Sequence, residues 1–233
     1  MSKKRGAFVV RIHWVFICLL VTGCANFDKP HSSKTATGTT SESSPAASTK
    51  TLNYSAKAYA QMPFIAHAEN KPMKSYVALN LSYEPYAEIR KNLEKHLGHS
   101  LQYRDEAHIT VITPPEYDKI LKKRVGIHEL NSLAEKRSLQ ASPFKLLCVG
   151  KGSASLEGIT QSTYYAVVDS EALYAFRKEV QKLYVSRGGR ALDFNPELYF
   201  AHVTLGFSKR DLHLEDGVTK DATTCILPLR EGK

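Results

Sequence analysis

Two short stretches of this 233-residue chain place acid–base side chains at matching spacing: Ala107-His108-Ile109-Thr110-Val111 and Ala201-His202-Val203-Thr204-Leu205. In each, a His and a Thr flank one apolar residue inside an apolar run. Strand side chains alternate faces with period two, so each His points the same way as its Thr, while Ile109 and Val203 point the other way, toward packing. Two such strands side by side offer two imidazoles and two hydroxyls to one cleft. Imidazole exchanges protons near neutral pH and a hydroxyl can donate to a phosphate oxygen. The set suits holding a phosphate while protons move on both sides of it.

The flanking sequence supplies elements that would position these motifs. Lys74–Leu81 reads as a strand, and Pro85 opens a helix to about Leu97, with Ile89, Leu93 and Leu97 on one face and Gly98 as the stop. The first motif strand runs from Asp105 to Thr113. Thr113-Pro114-Pro115-Glu116 then has the composition of a helix start: a capping hydroxyl, Pro in the first turn and an acid at the positive end. Short helices are predicted over Glu116–Lys123 and Ile127–Arg137. Phe144–Gly150 reads as a strand ended by Lys151-Gly152, and Thr163–Val168 as another. Asp169 or Ser170 caps a helix from Glu171 to Ser186, which Gly188-Gly189 ends. Asn195-Pro196 turns into the second motif strand, Leu198–Phe207, and Thr224–Pro228 closes the chain. Strand, helix and motif strand thus occur twice in the same order, about 90 residues apart. That period is too long for a solenoid and predicts two similar lobes facing across a cleft.

The N-terminus has a different character. Met1-Ser2-Lys3-Lys4-Arg5 is basic and is followed by the apolar run Trp14–Val21, too short for a bilayer-spanning helix but suited to the apolar region of a secretory signal. Val21-Thr22-Gly23-Cys24 resembles the lipobox of bacterial lipoproteins. That resemblance implies lipidation of Cys24, with thioether-linked diacylglycerol and an N-acyl chain such as palmitate, enough acyl chains for a firm anchor. It also implies a place in the cell envelope; where the host has two membranes, Ala25 rather than Asp after the Cys favours the outer membrane, facing the periplasm. His31–Lys50 contains no large apolar side chain and reads as a flexible tether. The expected organisation is therefore a signal peptide over 1–23, a tether over 24–51 and one domain over 52–233.

The formal charge is +9, of which Lys3, Lys4, Arg5 and Arg11 contribute four, leaving +5 after the signal. A mildly basic domain suits an anionic ligand or an anionic membrane surface, and it is no basic block of the kind that announces long nucleic acid. Beyond Cys18 and Cys24 the chain has Cys148 and Cys225, both on strand-like stretches. In an oxidising compartment they could pair or remain as two buried thiols; the sequence leaves both open. No Cys-x-x-Cys or His-x-x-x-His spacing is present, so no metal site is expected.

With His108-Ile109-Thr110-Val111 and His202-Val203-Thr204-Leu205 in view, the span from Lys74 to Phe207 resembles the two-histidine (2H) phosphoesterase superfamily. That group includes 2′-5′ RNA ligase-like proteins and cyclic nucleotide phosphodiesterases. The run from His108 to Tyr117 is similar to the bacterial "Swiss Army Knife" branch. The resemblance implies an α+β, bilobal fold with two pseudo-symmetric antiparallel sheets, outer helices and a central cleft. It implies catalytic His108 and His202, phosphate-binding Thr110 and Thr204, and no cofactor or metal. The expected reaction is metal-independent hydrolysis of 2′,3′-cyclic or 2′-5′-linked nucleotides or RNA ends, with one His as base and the other as acid, in an order the sequence leaves open.

Tyr103 and Tyr199 flank the motif strands and are candidates for stacking on a base, with packing aromatics as the alternative. Arg104 and Lys209 lie near the strand ends and could meet phosphate, though solvated surface charge is the simpler reading. His67, His96, His99, His128 and His213 fall in no motif and read as surface or structural. The expected partners are a nucleotide or short RNA and, through Cys24, a membrane, with no obligate protein partner evident. Two other functions compete. One is RNA end processing or 2′-5′ ligation; the other is an envelope lipoprotein that binds a nucleotide or other anion without turnover.

Overall fold

Val77–Leu81 (β2) is buried at every position, which its run of apolar residues around Asn80 dictates. It is one strand of a mixed α+β fold seen in a computed structural model that describes residues 50–232. The signal peptide, the lipidation site Cys24 and nearly all of the tether lie outside the described residues. Ahead of β2, Leu52–Tyr54 forms a short strand (β1). After it, Tyr83–Leu97 (α1) ends at Gly98 in the left-handed region, φ 75°, where a residue without Cβ avoids strain.

Ala107–Ile112 (β3) carries the first motif and pairs antiparallel with β2, Asn80 opposite His108 and Ala78 opposite Thr110. Thr113 caps Pro114–Lys119 (α2) in a reciprocal capping box with Glu116. Ile127–Lys136 (α3) follows. Lys145–Leu156 (β4) and Ile159–Asp169 (β5) form a long hairpin. Ser170 caps Glu171–Ser186 (α4), accepting from the Leu173 N–H. His202–Phe207 (β6) carries the second motif, and Cys225–Glu231 (β7) is the last strand.

The predicted strand end at Lys151-Gly152 is corrected: β4 runs through to Leu156. Gly152 is needed for close packing, since a Cβ there would lie 2.2 Å from Val218 Cγ1. The glycine admits a neighbouring loop rather than turning the chain.

The strands form a five-stranded sheet ordered β1-β7-β4-β5-β6 and a two-stranded sheet β2-β3. The repeated order of elements predicts two similar lobes, and the family resemblance implies two pseudo-symmetric antiparallel sheets. The sheets observed are unequal, and β1 pairs parallel with β7. The edge of β2 explains part of this inequality. Gln140 donates to the Asn80 carbonyl at 2.7 Å and accepts from the Asn80 N–H at 3.1 Å, so a side chain stands where a further strand would pair. The strands β1 and β7 instead extend the other sheet through β4. Cys148 and Cys225 form a disulfide, with Cα atoms 5.7 Å apart, that fastens β7 to β4. One continuous apolar core runs beneath both sheets, including Leu79, Ile89, Leu93, Ile109, Leu173, Val180 and Val203.

Arg177 on α4 ties the two motif-bearing regions together. It is fully buried, yet every nitrogen has a partner. It binds Glu116 through Nη2 at 2.7 Å and Nη1 at 3.1 Å, and the Val111 carbonyl at 2.7 Å. It also donates to the carbonyls of Pro196 at 3.0 Å and Asn195 at 3.1 Å. One guanidinium thus clamps the end of β3, the start of α2 and the turn leading to β6.

Candidate active site

The period-two reading of the motifs holds in both strands. On β3, Ile109 and Val111 are buried in the core while His108 and Thr110 are half-buried on the opposite face. On β6, Val203 and Leu205 are buried while His202 and Thr204 face the other way. The strands pack against one another across the two sheets, with no ladder between them. His108, Thr110, His202 and Thr204 line one cleft, together with Arg104 and Glu106 at its rim. Long-range packing has therefore joined two His–Thr pairs that lie more than 90 residues apart in sequence.

The two imidazoles stand in different surroundings. His108 Nδ1 lies 3.9 Å from Glu106 Oε1, and its ring is 5.5 Å from Tyr76 and 6.3 Å from His67. Burial lowers the His108 pKa from its ordinary value, and the Glu106 carboxylate opposes that shift. His67 stacks on Tyr76 at 4.1 Å, and its Nε2 bonds Asn80 Oδ1 at 2.9 Å. It is a structural neighbour of the cleft.

His202 is held from both ends. Its Nδ1 lies 2.7 Å from the Phe200 carbonyl, which can only accept, so Nδ1 carries the proton and neutral His202 presents a lone pair at Nε2. Lys220 Nζ lies 3.1 Å from that Nε2 and donates to it. Burial, reinforced by the Lys220 charge, pushes the His202 pKa down to about 3.

Behind the second motif is a buried polar unit. Asp211 Oδ1 accepts from Lys220 Nζ at 2.9 Å and from Thr163 Oγ1 at 2.7 Å, while its Oδ2 accepts from Thr204 Oγ1 at 3.0 Å. Asp211 and Lys220 are both nearly inaccessible, and burial by itself would raise the carboxyl pKa. The Lys220 charge and bond, together with His213 and His202, outweigh that and hold Asp211 well below the usual carboxylate range. Burial lowers the Lys220 pKa, against the pull of Asp211.

The accessory candidates divide. Arg104 lines the cleft, whereas Lys209 is exposed outside it. Tyr103 remains exposed, with the Arg90 guanidinium 3.5 Å from its ring centre, and lies outside the cleft lining. The stacking role expected of Tyr199 is corrected. Its ring is buried against Tyr174 at 5.2 Å and the Arg177 guanidinium at 4.6 Å, so no base can reach it. Thr204 lines the cleft as expected, but its proton is committed to Asp211 rather than turned toward a ligand.

Asp211 and Lys220 escaped the sequence reading. They come from the irregular segment between β6 and β7, where no periodic pattern marks a side chain as inward-facing. A weak signal was available in Lys220 itself, a cation that the nearby Asp211 could accompany into the interior.

The arrangement can exchange two protons around an anion: one imidazole beside a carboxylate, the other beside an ammonium, with a hydroxyl near each. No curated protein and no solved structure matches the chain. The family described as Swiss Army Knife, 2H phosphoesterase domain matches residues 75–213, more than half of the chain and including both His-x-Thr motifs. Phosphoesterase chemistry in the general sense accompanies that match. With its two motifs facing one cleft, the chain belongs to the 2H phosphoesterases of the Swiss Army Knife group.

Proposed function

We propose that this protein hydrolyses phosphodiester bonds in 2′,3′-cyclic or 2′-5′-linked nucleotides, with His202 as general base and His108 as general acid. The observation that carries the reading is the shared cleft of His108 and His202, with opposite charges beside them. Burial lowers the His108 pKa, but the Glu106 carboxylate draws that ring toward its imidazolium, whereas the Lys220 ammonium adds to burial in keeping His202 neutral.

In this reading Nε2 of His202 takes a proton from water as the water oxygen bonds to phosphorus. The bond from phosphorus to the ribose oxygen breaks, and His108 gives that oxygen its proton. Thr110 donates to a non-bridging oxygen, where negative charge is held in the transition state. Arg104 at the rim adds attraction for the anion. Each proton is moved by a group of this chain, so the reaction as written calls on no metal.

We also place this activity in the cell envelope, anchored through Cys24. The Cys148–Cys225 disulfide supports an oxidising compartment.

The test incubates the full chain, in excess chelator, with 2′,3′-cyclic mononucleotides and 2′-5′-linked dinucleotides, beside His108→Ala and His202→Ala. Turnover that falls by about 100-fold or more in each variant is expected, within the range for removing a general acid or base. Binding of the nucleotides without turnover would overturn the hydrolytic reading in favour of an anion-binding protein.

A further inference from the structure

We infer that Lys220 is an anion-released cap on His202: it covers the proton-accepting nitrogen while the cleft is empty and yields it when a phosphate enters. The inference rests on the proposed acid–base function and adds Lys220 to the site as a residue that covers the base and then binds the phosphate. Lys220 lies beyond the 75–213 family match.

The geometry leaves His202 one usable nitrogen. Nδ1 is tied to the Phe200 carbonyl, so a proton can arrive only at Nε2, and Nε2 accepts from the Lys220 ammonium at 3.1 Å. A base whose lone pair is already occupied, beside a positive charge, is a poor base. Lys220 cannot leave far, because Asp211 holds Nζ at 2.9 Å and the side chain is 3% exposed. It can, however, redirect one N–H. A phosphate oxygen arriving beside Nε2 is a charged acceptor and competes for the donor better than a neutral imidazole does. The exchange uncovers the lone pair and gives the phosphate a donor at the second motif. Thr204 does not supply that donor, since its own proton goes to Asp211.

The same exchange corrects the basicity. The Lys220 charge disfavours a second positive charge on His202, and the bound anion favours it. His202 thus becomes an effective base only in an occupied cleft. The other groups facing this ring fit the scheme. Asp211 and His213 come from the segment after β6. Tyr165 on β5 lies with its ring 5.7 Å away. Arg104, Glu106 and His108 line the cleft with it. Among these, Lys220 is the cation in direct hydrogen-bond contact with His202.

The experiment follows the His202 ring by nitrogen and carbon NMR in the full chain, with and without inorganic phosphate, in the parent, Lys220→Met and Lys220→Arg. In the free parent, His202 is expected to stay neutral with its proton on Nδ1 down to about pH 5, and phosphate is expected to raise its titration point. Lys220→Met is expected to titrate ~1–3 pH units higher without phosphate, the usual effect of removing an adjacent like charge. Lys220→Arg keeps the charge and should titrate near the parent. An unchanged titration point in Lys220→Met, or no response of the parent to phosphate, overturns the inference. Should Lys220→Met fail to fold around an unpaired Asp211, Lys220→Met/Asp211→Asn is read in the same way, with a smaller upward shift expected. A parallel readout is kcat/KM at about pH 5 relative to pH 7, which should fall in Lys220→Met and not in Lys220→Arg. Absence of turnover in every protein would defeat the hydrolytic reading while the NMR result still decides the role of Lys220.

Discussion

Thr204 donates its hydroxyl proton to Asp211, Oγ1 to Oδ2 at 3.0 Å, and the other oxygen of the same carboxylate holds Lys220 at 2.9 Å. One buried carboxylate therefore fixes both the hydroxyl of the second motif and the cation that rests on its histidine. Removing one member of a buried ion pair leaves the other charged, desolvated and without its partner, which costs about 3–5 kcal/mol. Asp211→Ala should lose stability on that scale in urea unfolding. Thr204→Ser should stay within about 1 kcal/mol of the parent, because its hydroxyl can still reach Asp211. An Asp211→Ala midpoint equal to the parent's would mean that the pair is not buried in solution.

Arg177 offers a test of how the two motif regions are held in register. Its side chain binds Glu116, the carbonyl of Val111 at the end of the first motif and the 195–196 turn before the second. Arg177→Met preserves bulk but leaves buried carbonyls and Glu116 without their donor. A loss of about 3 kcal/mol or more is expected, together with reduced turnover, although Arg177 does not line the cleft. Chemical-shift changes confined to α4, with β3 and β6 unaltered, would count against this clamp.

Acid sensitivity should carry a signature of His202. Its folded-state pKa is lowered to about 3 from an ordinary 6.5, so between those values the unfolded chain binds the extra proton and the folded protein does not. Stability therefore rises with pH through this window. The contribution is complete above about 6.5 and is lost progressively as pH falls toward 3. His202→Asn, which can keep a donor toward the Phe200 carbonyl, should flatten the slope of unfolding free energy between about pH 6.5 and 4.5. That window lies above the range where depressed carboxylates such as Asp211 begin to protonate. An identical slope in parent and variant would show that His202 is not held neutral.

Reduction of Cys148–Cys225 should loosen the last strand. The bridge closes a sequence separation of 77 residues and fastens β7 to β4. On the chain-entropy account such a link is worth about 2–4 kcal/mol. Cys148→Ser/Cys225→Ser should unfold at correspondingly lower denaturant, and hydrogen exchange should quicken first in β7 and β1, which pairs with it. Equal protection of β1 and β7 in oxidised and reduced protein would show that the ladder suffices without the bridge.

By itself the sequence determined the local elements and the face of each motif. The Thr113 cap with Glu116 at the positive helix end, the Gly98 stop, a cap at Asp169 or Ser170 and the His-x-Thr alternation all depend on residues within about four positions of one another. Such signals survive in a linear reading because neighbouring residues enforce them wherever the chain folds. Tertiary structure decided the rest. The Gln140 amide occupying the edge of β2, and the addition of β1 and β7 to the other sheet, replaced matched lobes by unequal sheets. Whether Tyr199 met a ligand or Arg177 depended on the packing of α4. Asp211 and Lys220 became buried partners of the second motif only because an irregular segment folds back over β6. Burial and charge pairing across such distances have no period along the chain, so the elements were legible in the sequence and the electrostatics of the cleft were not.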